Sequence, residues 1–430
     1  QFEQGFPADF IAEGLDQTRG WFYTLSVLGT ALFNKTPFKN VVVNGMVLAE
    51  DGKKMSKRLK NYPDPTTVID AHGADALRLY MIQSAAVRAE DLRFTEAGVK
   101  EIVRRILLKW WNAYTFFVSY AVIDKYEPKA SDLKVKSDNI LDQWILSRLQ
   151  SLLATTEKEM EQYHLYNVVP ALIDFIEDLT NIYIRFNRKR FWEDEGEDKD
   201  AAYHTLYTVL HTLTTVMAPF TPFLAELMSQ NLKLDGAKES VHLEDYPTAS
   251  AEYIQKDLEE SVAIMNRVVL MVRGIREKQN IKVKIPLKSL AIIHRHESML
   301  KHLRVLESYL KEELNVREIK YLTNEDDFVE LTAKGNGAML GKRLGKKFGQ
   351  INKAIQGISH EDIVKLEQGE MLEIAGETIS KADVLIYRKA QKGHENVVSD
   401  AFITVELDTS LDEDQIHEGL AREVVSRIQK

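Results

Sequence analysis

Apolar positions in this chain change their spacing several times, and each change marks an element. Trp21, Phe22, Leu25, Leu28, Leu32 and Phe33 recur at helical intervals, which predicts a helix with a wide buried face. Asp16 stands where it can cap that helix near Gln17, and Asn34 to Thr36 with Pro37 end it. Phe38 to Leu48 is then nearly continuous in Val and Leu. Such a run predicts a strand covered on both faces, the habit of parallel sheets. Thr66 to Leu79 reads as a helix-rich connector.

From Thr95 to about Leu232 the pattern is helical throughout. Leu141, Trp144, Ile145, Leu149, Leu152 and Leu153 form one stripe. A second helix is predicted over about Val168 to Trp192, with Pro170 in its first turn, and a third over Ala201 to about Met217. Ala218-Pro219-Phe220-Thr221-Pro222-Phe223 breaks the pattern before a fourth helix. Trp110, Trp111 and Tyr114 read as core. Beyond a further helix over Glu252 to about Lys278, short strands alternate with helices. The strands are predicted at Leu290 to His294, Val316 to Tyr321 and Phe402 to Leu407. The helices fall near Met299 to Glu313, Gly341 to Ala354 and Glu361 to Gln368. That alternation predicts a small α/β domain.

Composition narrows the picture. At 430 residues, two or three domains are expected, and 44% apolar residues suffice for a sizeable core. No apolar run reaches membrane-spanning length, and no signal-peptide pattern opens the chain. There is no cysteine, so neither disulfides nor thiolate zinc sites can form, and a cytoplasmic setting is expected. A net charge of −9 argues against indiscriminate coating of nucleic acid but leaves room for local basic patches. The chain opens on Gln rather than Met, and its last helical pattern, Gly419 to Lys430, stops without a cap. The expectation is a fragment of a larger protein.

The densest charge follows the Val/Leu run. Five cations, Lys53, Lys54, Lys57, Arg58 and Lys60, fall within eight positions, and Asn61-Tyr62-Pro63-Asp64-Pro65 punctuates their end. Ligands of open α/β sheets gather beyond the carboxyl ends of the strands, where a cationic loop suits a polyphosphate. Charge alone also fits a solvated loop. The residue order Lys54-Met55-Ser56-Lys57, extended by Arg58, resembles the second signature of class I aminoacyl-tRNA synthetases. Glu13-Gly14-Leu15-Asp16-Gln17-Thr18-Arg19-Gly20-Trp21-Phe22 resembles the adenylate-binding segment of the isoleucine-specific family. Asn44 and Arg58 resemble its eukaryotic-cytosolic branch.

That resemblance implies the α/β end of a Rossmann-type catalytic domain over residues 1–95. It implies an all-α anticodon-binding bundle over 96–250 and a small, truncated α/β C-terminal domain over 251–430. The activity implied is ATP-dependent activation of isoleucine and its transfer to tRNA(Ile), by a monomer using Mg²⁺ with ATP and no zinc. Activation moves negative charge onto departing pyrophosphate, so cations there accelerate the step. Lys54 and Lys57 are the expected catalytic cations, with Ser56 beside the phosphates and Gly52 as a hinge. Gly45, Met46 and Val47 match the backbone that receives adenine. Glu13, Gly14, Asp16 and Gln17 match positions holding the aminoacyl-adenylate. Trp21 matches a wall of the isoleucine pocket and also reads as helix core. Met55 reads as packing beneath the loop.

In the helical region, Arg185-Phe186-Asn187-Arg188-Lys189-Arg190-Phe191-Trp192 mixes four cations with three aromatics. Cations meet phosphate and flat side chains stack on unpaired bases, so Arg185, Arg188 and Arg190 are the expected tRNA contacts. The acidic run Glu193 to Asp200 reads as a solvated turn. Lys342, Arg343, Lys346 and Lys347 fit a solvated helix as well as an RNA face. No phosphate-loop motif occurs. Two other readings stay open: an RNA-binding module without activity, and a valine- or leucine-specific synthetase. The chain contains no His-x-Gly-His, the first class I signature, so the 430 residues alone are expected to bind tRNA without forming adenylate.

Overall fold

β1 (Ala8–Gly14) and β2 (Phe38–Asn44) pair in parallel, from Ala8 opposite Phe38 to Gly14 opposite Asn44. A parallel pair needs a crossover, and α1 (Trp21–Phe33) supplies it. The computed structural model that shows this describes residues 5–133, 136–193, 196–391 and 396–428. Its backbone divides into two units, Gln1–Gln255 and Lys256–Lys430.

Three expectations about this opening are corrected. Only Phe22 and Gly29 are buried on α1, whereas Trp21 is 50% and Leu32 67% exposed. The physical reason is the narrowness of the β1/β2 ribbon, which leaves most of the helix uncovered. Val41 of β2 is 48% exposed for the same reason, so this strand is not covered on both faces. Nor does the strand run on to Leu48. It stops at Asn44, and Val47–Leu48 forms a separate β3, paired in parallel with β4 (Leu92–Arg93). Gly45 makes the change of partner possible. A Cβ there would lie 1.8 Å from the Glu90 carbonyl oxygen.

Two connector helices follow, α2 (Pro65–His72) and α3 (Ala74–Gln83). Asp64 caps α2 by accepting the Thr66 N–H, with Pro65 in the first turn. α4 (Glu96–Ile102) leads through a π-helical turn, Val103–Leu107, into α5 (Leu108–Ile123). α6 (Ile140–Glu161) buries the stripe Leu141, Trp144, Ile145, Leu149, Leu152 and Leu153. α7 (Leu165–Glu177) continues as a π-helical segment, Asp178–Ile184, and a 3₁₀ turn, Arg188–Phe191. α8 (Glu197–Met217) and α9 (Pro222–Leu232) complete the bundle. Trp110 is fully buried and Tyr114 nearly so, as core residues. Asp194 and Glu195 of the acidic run lie outside the described residues.

The second unit opens with α10 (Lys256–Lys278). Its four-stranded sheet sets β5 (Leu287–Ile293) parallel to β6 (Val316–Leu322), with two further strands on the other side of β5. β12 (Thr404–Leu407) runs antiparallel to β5, and β11 (Val397–Ser399) antiparallel to β12. α11 (Glu297–Arg304) and α12 (Glu307–Leu314) replace the single predicted helix. Gly345, at φ +50°, likewise divides α13 (Gly337–Leu344) from α14 (Phe348–Ile355). α15 (His360–Glu367) follows. The sequence reading missed the antiparallel pair β7 (Val329–Gly335) and β10 (Val384–Ala390) and the hairpin β8 (Leu372–Ile374) and β9 (Glu377–Ile379). The last helix is α16 (Glu413–Ile428).

Candidate functional site

The register of β1 and β2 sets Gly14 beside Asn44 at the carboxyl ends of a parallel pair. Beyond Gly14 the chain turns through a 3₁₀ segment, Leu15–Arg19, and each polar residue here has a definite place. The Asp16 carboxylate folds back toward Gly14, whose Cβ would stand 2.7 Å from it. Gln17 donates to Asp16 at 3.4 Å and accepts the Trp21 N–H at 2.8 Å. Gln17 therefore satisfies the start of α1, where Asp16 was expected to. A side-chain oxygen four residues before Trp21 reaches its amide because Gly20 gives the turn room. A Cβ on Gly20 would lie 2.7 Å from that oxygen. Glu13 and Asp16 are exposed, and so is Trp21, which excludes the helix-core reading of Trp21 in these residues.

On the other strand, the Gly45 N–H donates to the Ala86 carbonyl at 2.8 Å, and the Met46 carbonyl accepts the Leu92 N–H at 2.8 Å. These two backbone groups of the predicted adenine segment are thus already bonded. The basic loop follows β3. Leu48 and Lys54 bridge across its base, and Ala49, 2% exposed, donates its N–H to the Lys53 carbonyl at 2.9 Å. Gly52, at φ +80°, makes the turn against the Arg93 guanidinium, within 3.1 Å of where a Cβ would stand. Asn61 closes the far side: it accepts the Ser56 N–H at 2.9 Å and donates to the Lys54 carbonyl at 3.1 Å. Met55 packs against Val68, Ala76, Phe94 and Val99.

The result is a loop tied down at its base and cationic outside. Lys54, Lys57 and Arg58 are exposed, and among the described residues none of them has an ion-pair partner. Only Lys53 is engaged, with Asp51 at 3.3 Å. Unpaired ammonium groups over a neutral floor suit an incoming polyanion, since no protein carboxylate has to be displaced.

The three arginines expected at RNA part company. Arg185 and Arg188 are exposed. Arg190 is 8% exposed and lies inside the bundle, which corrects its assignment as an RNA contact. Its guanidinium donates to Asp142 at 2.7 and 2.9 Å, to Asp198 and to Asn187. Burial works against its charge, but the Asp142 hydrogen bonds and charge outweigh it and hold the pKa above the ordinary arginine range. Asp142 also accepts from Tyr183 at 2.7 Å and Ser137 at 2.6 Å, so the carboxylate is saturated. The helix passes from π geometry over Asp178–Ile184 through one α turn, Arg185–Asn187, to 3₁₀ geometry over Arg188–Phe191, and a uniform 3.6-residue period does not assign its faces. Trp192 is 55% exposed, with its indole N–H on the Tyr120 hydroxyl.

In the second unit Arg343 pairs with Asp383 at 3.1 Å and Lys347 with Glu377 at 3.2 Å, so among the described residues half of that basic cluster is ion-paired. Reasoning from sequence missed Asn61, Asp75, Arg78 and Arg93. Their partners are distant in the chain or on the backbone, and no local spacing announces them. Among the described residues no helix is long and apolar enough to cross a membrane.

Residues 1–93 match the family described as tRNA synthetases class I (I, L, M and V), and residues 142–292 match the anticodon-binding domain of tRNA ligase. The first of these segments is thus similar to the class I tRNA synthetases. Within that class its similarity is to isoleucine–tRNA ligases. It is 55% identical to the Isoleucine–tRNA ligase of Bdellovibrio bacteriovorus over the whole chain and 41% of that protein. It is 43% identical to the cytoplasmic enzyme of Schizosaccharomyces pombe and 45% to that of Mus musculus, covering 42% and 36% of their lengths. The chain thus spans about two-fifths of the length of these curated relatives. A solved methionyl-tRNA synthetase of Mycobacterium tuberculosis, in complex with methionyl-adenylate, aligns with 52% of this chain and 44% of its own at 20% identity and a TM-score of 0.43.

Proposed function

We propose that this chain serves an isoleucine–tRNA ligase as the part that holds the triphosphate of ATP and the tRNA. The unpaired Lys54 and Lys57, on a loop anchored beyond the carboxyl end of β2, carry this reading. When isoleucine attacks the α-phosphorus of ATP, charge builds on the leaving pyrophosphate. Lys54 and Lys57 neutralise it there, with Ser56 at the phosphates and Gly52 allowing the loop to move. Mg²⁺ bound to the triphosphate would supply further positive charge there. Glu13, Gly14, Asp16 and Gln17 hold the adenylate, and exposed Trp21 walls the isoleucine side chain. Gly45, Met46 and Val47 take the adenine. Arg185 and Arg188 contact tRNA(Ile). The protein acts as a monomer in the cytoplasm. Its domains follow the sequence division, with the catalytic part to residue 95 and the bundle to 250.

The test is titration of the 430-residue chain with transcripts of the isoleucine, valine and leucine tRNAs, read by fluorescence anisotropy. Tightest binding of the isoleucine transcript supports the reading. Equal binding of all three overturns the isoleucine assignment, and no salt-sensitive binding overturns the RNA role.

A further inference from the structure

α3 stands between the basic loop and the bundle, and it is fastened to both. On one side Asp75, 7% exposed, accepts the Leu224 N–H at 2.8 Å and the Phe223 N–H at 3.4 Å. These are first-turn amides of α9, whose own cap residue, Thr221, makes no side-chain capping bond. One helical turn along α3, Arg78 donates to the Pro219 carbonyl at 2.8 Å and the Phe220 carbonyl at 3.3 Å. An acid and a base at i, i+3 thus grip both sides of the α8–α9 break, the acid on N–H groups and the base on carbonyls.

On the other side α3 carries the floor of the loop. Ala76 belongs to the cluster on which Met55 packs, and Leu77, Tyr80 and Met81 border it. The Tyr80 hydroxyl accepts the Thr95 N–H at 3.3 Å and donates to the Arg93 carbonyl at 3.4 Å, and its ring meets Phe94 edge-on at 5.5 Å. Gly98 leaves space for that ring, since a Cβ there would lie 2.4 Å from it. Arg93 in turn backs Gly52 at the loop's turn. Two routes, Met55 to Ala76 and Gly52 through Arg93 to Tyr80, therefore end on the helix that Asp75 and Arg78 bolt to the bundle.

We propose that Asp75 and Arg78 are positioning residues that set where the cationic loop sits relative to the RNA-holding bundle. This rests on the function proposed above for its consequence: a tRNA gripped by the bundle is presented at a fixed offset from Lys54 and Lys57. Neither side chain touches substrate. Loss of the pair should loosen that offset, against the remaining packing of α3 on α7, while the loop and the bundle each stay folded.

The absence of cysteine from the chain makes a direct test available. Leu59→Cys in the loop and Glu157→Cys on α6, both at exposed positions, are spin-labelled, and their separation is read by pulsed electron resonance. The parent chain gives the reference distance distribution. Asp75→Asn with Arg78→Gln should shift or broaden it while cooperative thermal unfolding of the bundle persists. Arg78→Gln alone, at an exposed side chain, should do the same to a smaller degree and serves if the double variant does not fold. An unchanged distribution in a folded variant overturns the proposal. The distance is measured without RNA, so a parent chain that binds no tRNA refutes the functional reading and leaves the clamp to be judged on its own result.

Discussion

Arg190 and Asp142 meet inside the helical bundle through two hydrogen bonds, of 2.7 and 2.9 Å, although 48 residues separate them in the chain. The pair is buried on both sides, with Asp142 fully inaccessible. Removing one member strands the other charge without solvent. Arg190→Ala should therefore destabilise the bundle by about 3–5 kcal/mol, read by chemical denaturation. A change under about 1 kcal/mol would show that the pair is not buried as described.

Arg185 and Arg188 should behave in the opposite way. Their joint replacement by alanine, at exposed positions, should leave the unfolding midpoint nearly unchanged and weaken tRNA binding. It should also flatten the slope of log affinity against log salt by about 1 to 2, as expected for one or two lost phosphate contacts. An unaltered salt slope would place the RNA elsewhere.

In a catalytically complete synthetase carrying this chain, Lys54→Ala and Lys57→Ala should each lower kcat for isoleucine-dependent ATP–pyrophosphate exchange by about 10²–10³-fold. The KM for isoleucine should stay within about twofold, because charge on departing pyrophosphate develops only in the transition state. A loss confined to KM would make the two lysines ground-state binders.

Gly45→Ala should cost about 1–3 kcal/mol or more, since the new Cβ would have to displace the Glu90 backbone 1.8 Å away. Thermal unfolding would show it. Gly73→Ala, at φ +85° and ψ 150° with open space around its Cβ position, should show backbone strain alone, about 1–3 kcal/mol.

The second unit should lose stability in acid through Glu325. This carboxylate is 1% exposed; burial pushes its pKa up, but the Arg295 hydrogen bond and the Arg388 charge outweigh that and hold it below the ordinary glutamate value of 4.5. With the folded pKa lowered, the unfolded chain takes up its proton first. The stabilisation is complete above pH 4.5 and declines as pH falls below it. Glu325→Gln should remove that part of the acid sensitivity, read as unfolding midpoint against pH.

The amino-acid order by itself determined the elements whose signals are local. The α6 stripe follows from side chains spaced to share one helical face, and Pro222 at the first turn of α9 from a residue without an N–H to lose. It determined that Lys53 to Lys60 would be a cationic loop and that Met55 would pack beneath it. Only the tertiary structure decided which cations face water. Arg188 and Arg190 stand two residues apart in one basic run, and what separates them is Asp142, brought from another helix to neutralise the second. Tertiary structure likewise turned Asp75 and Arg78 into a clamp and cut the Val/Leu run at Gly45. A residue's period fixes the face it shares with its neighbours in sequence. Whether that face meets a partner, and of what charge, depends on segments far away along the chain.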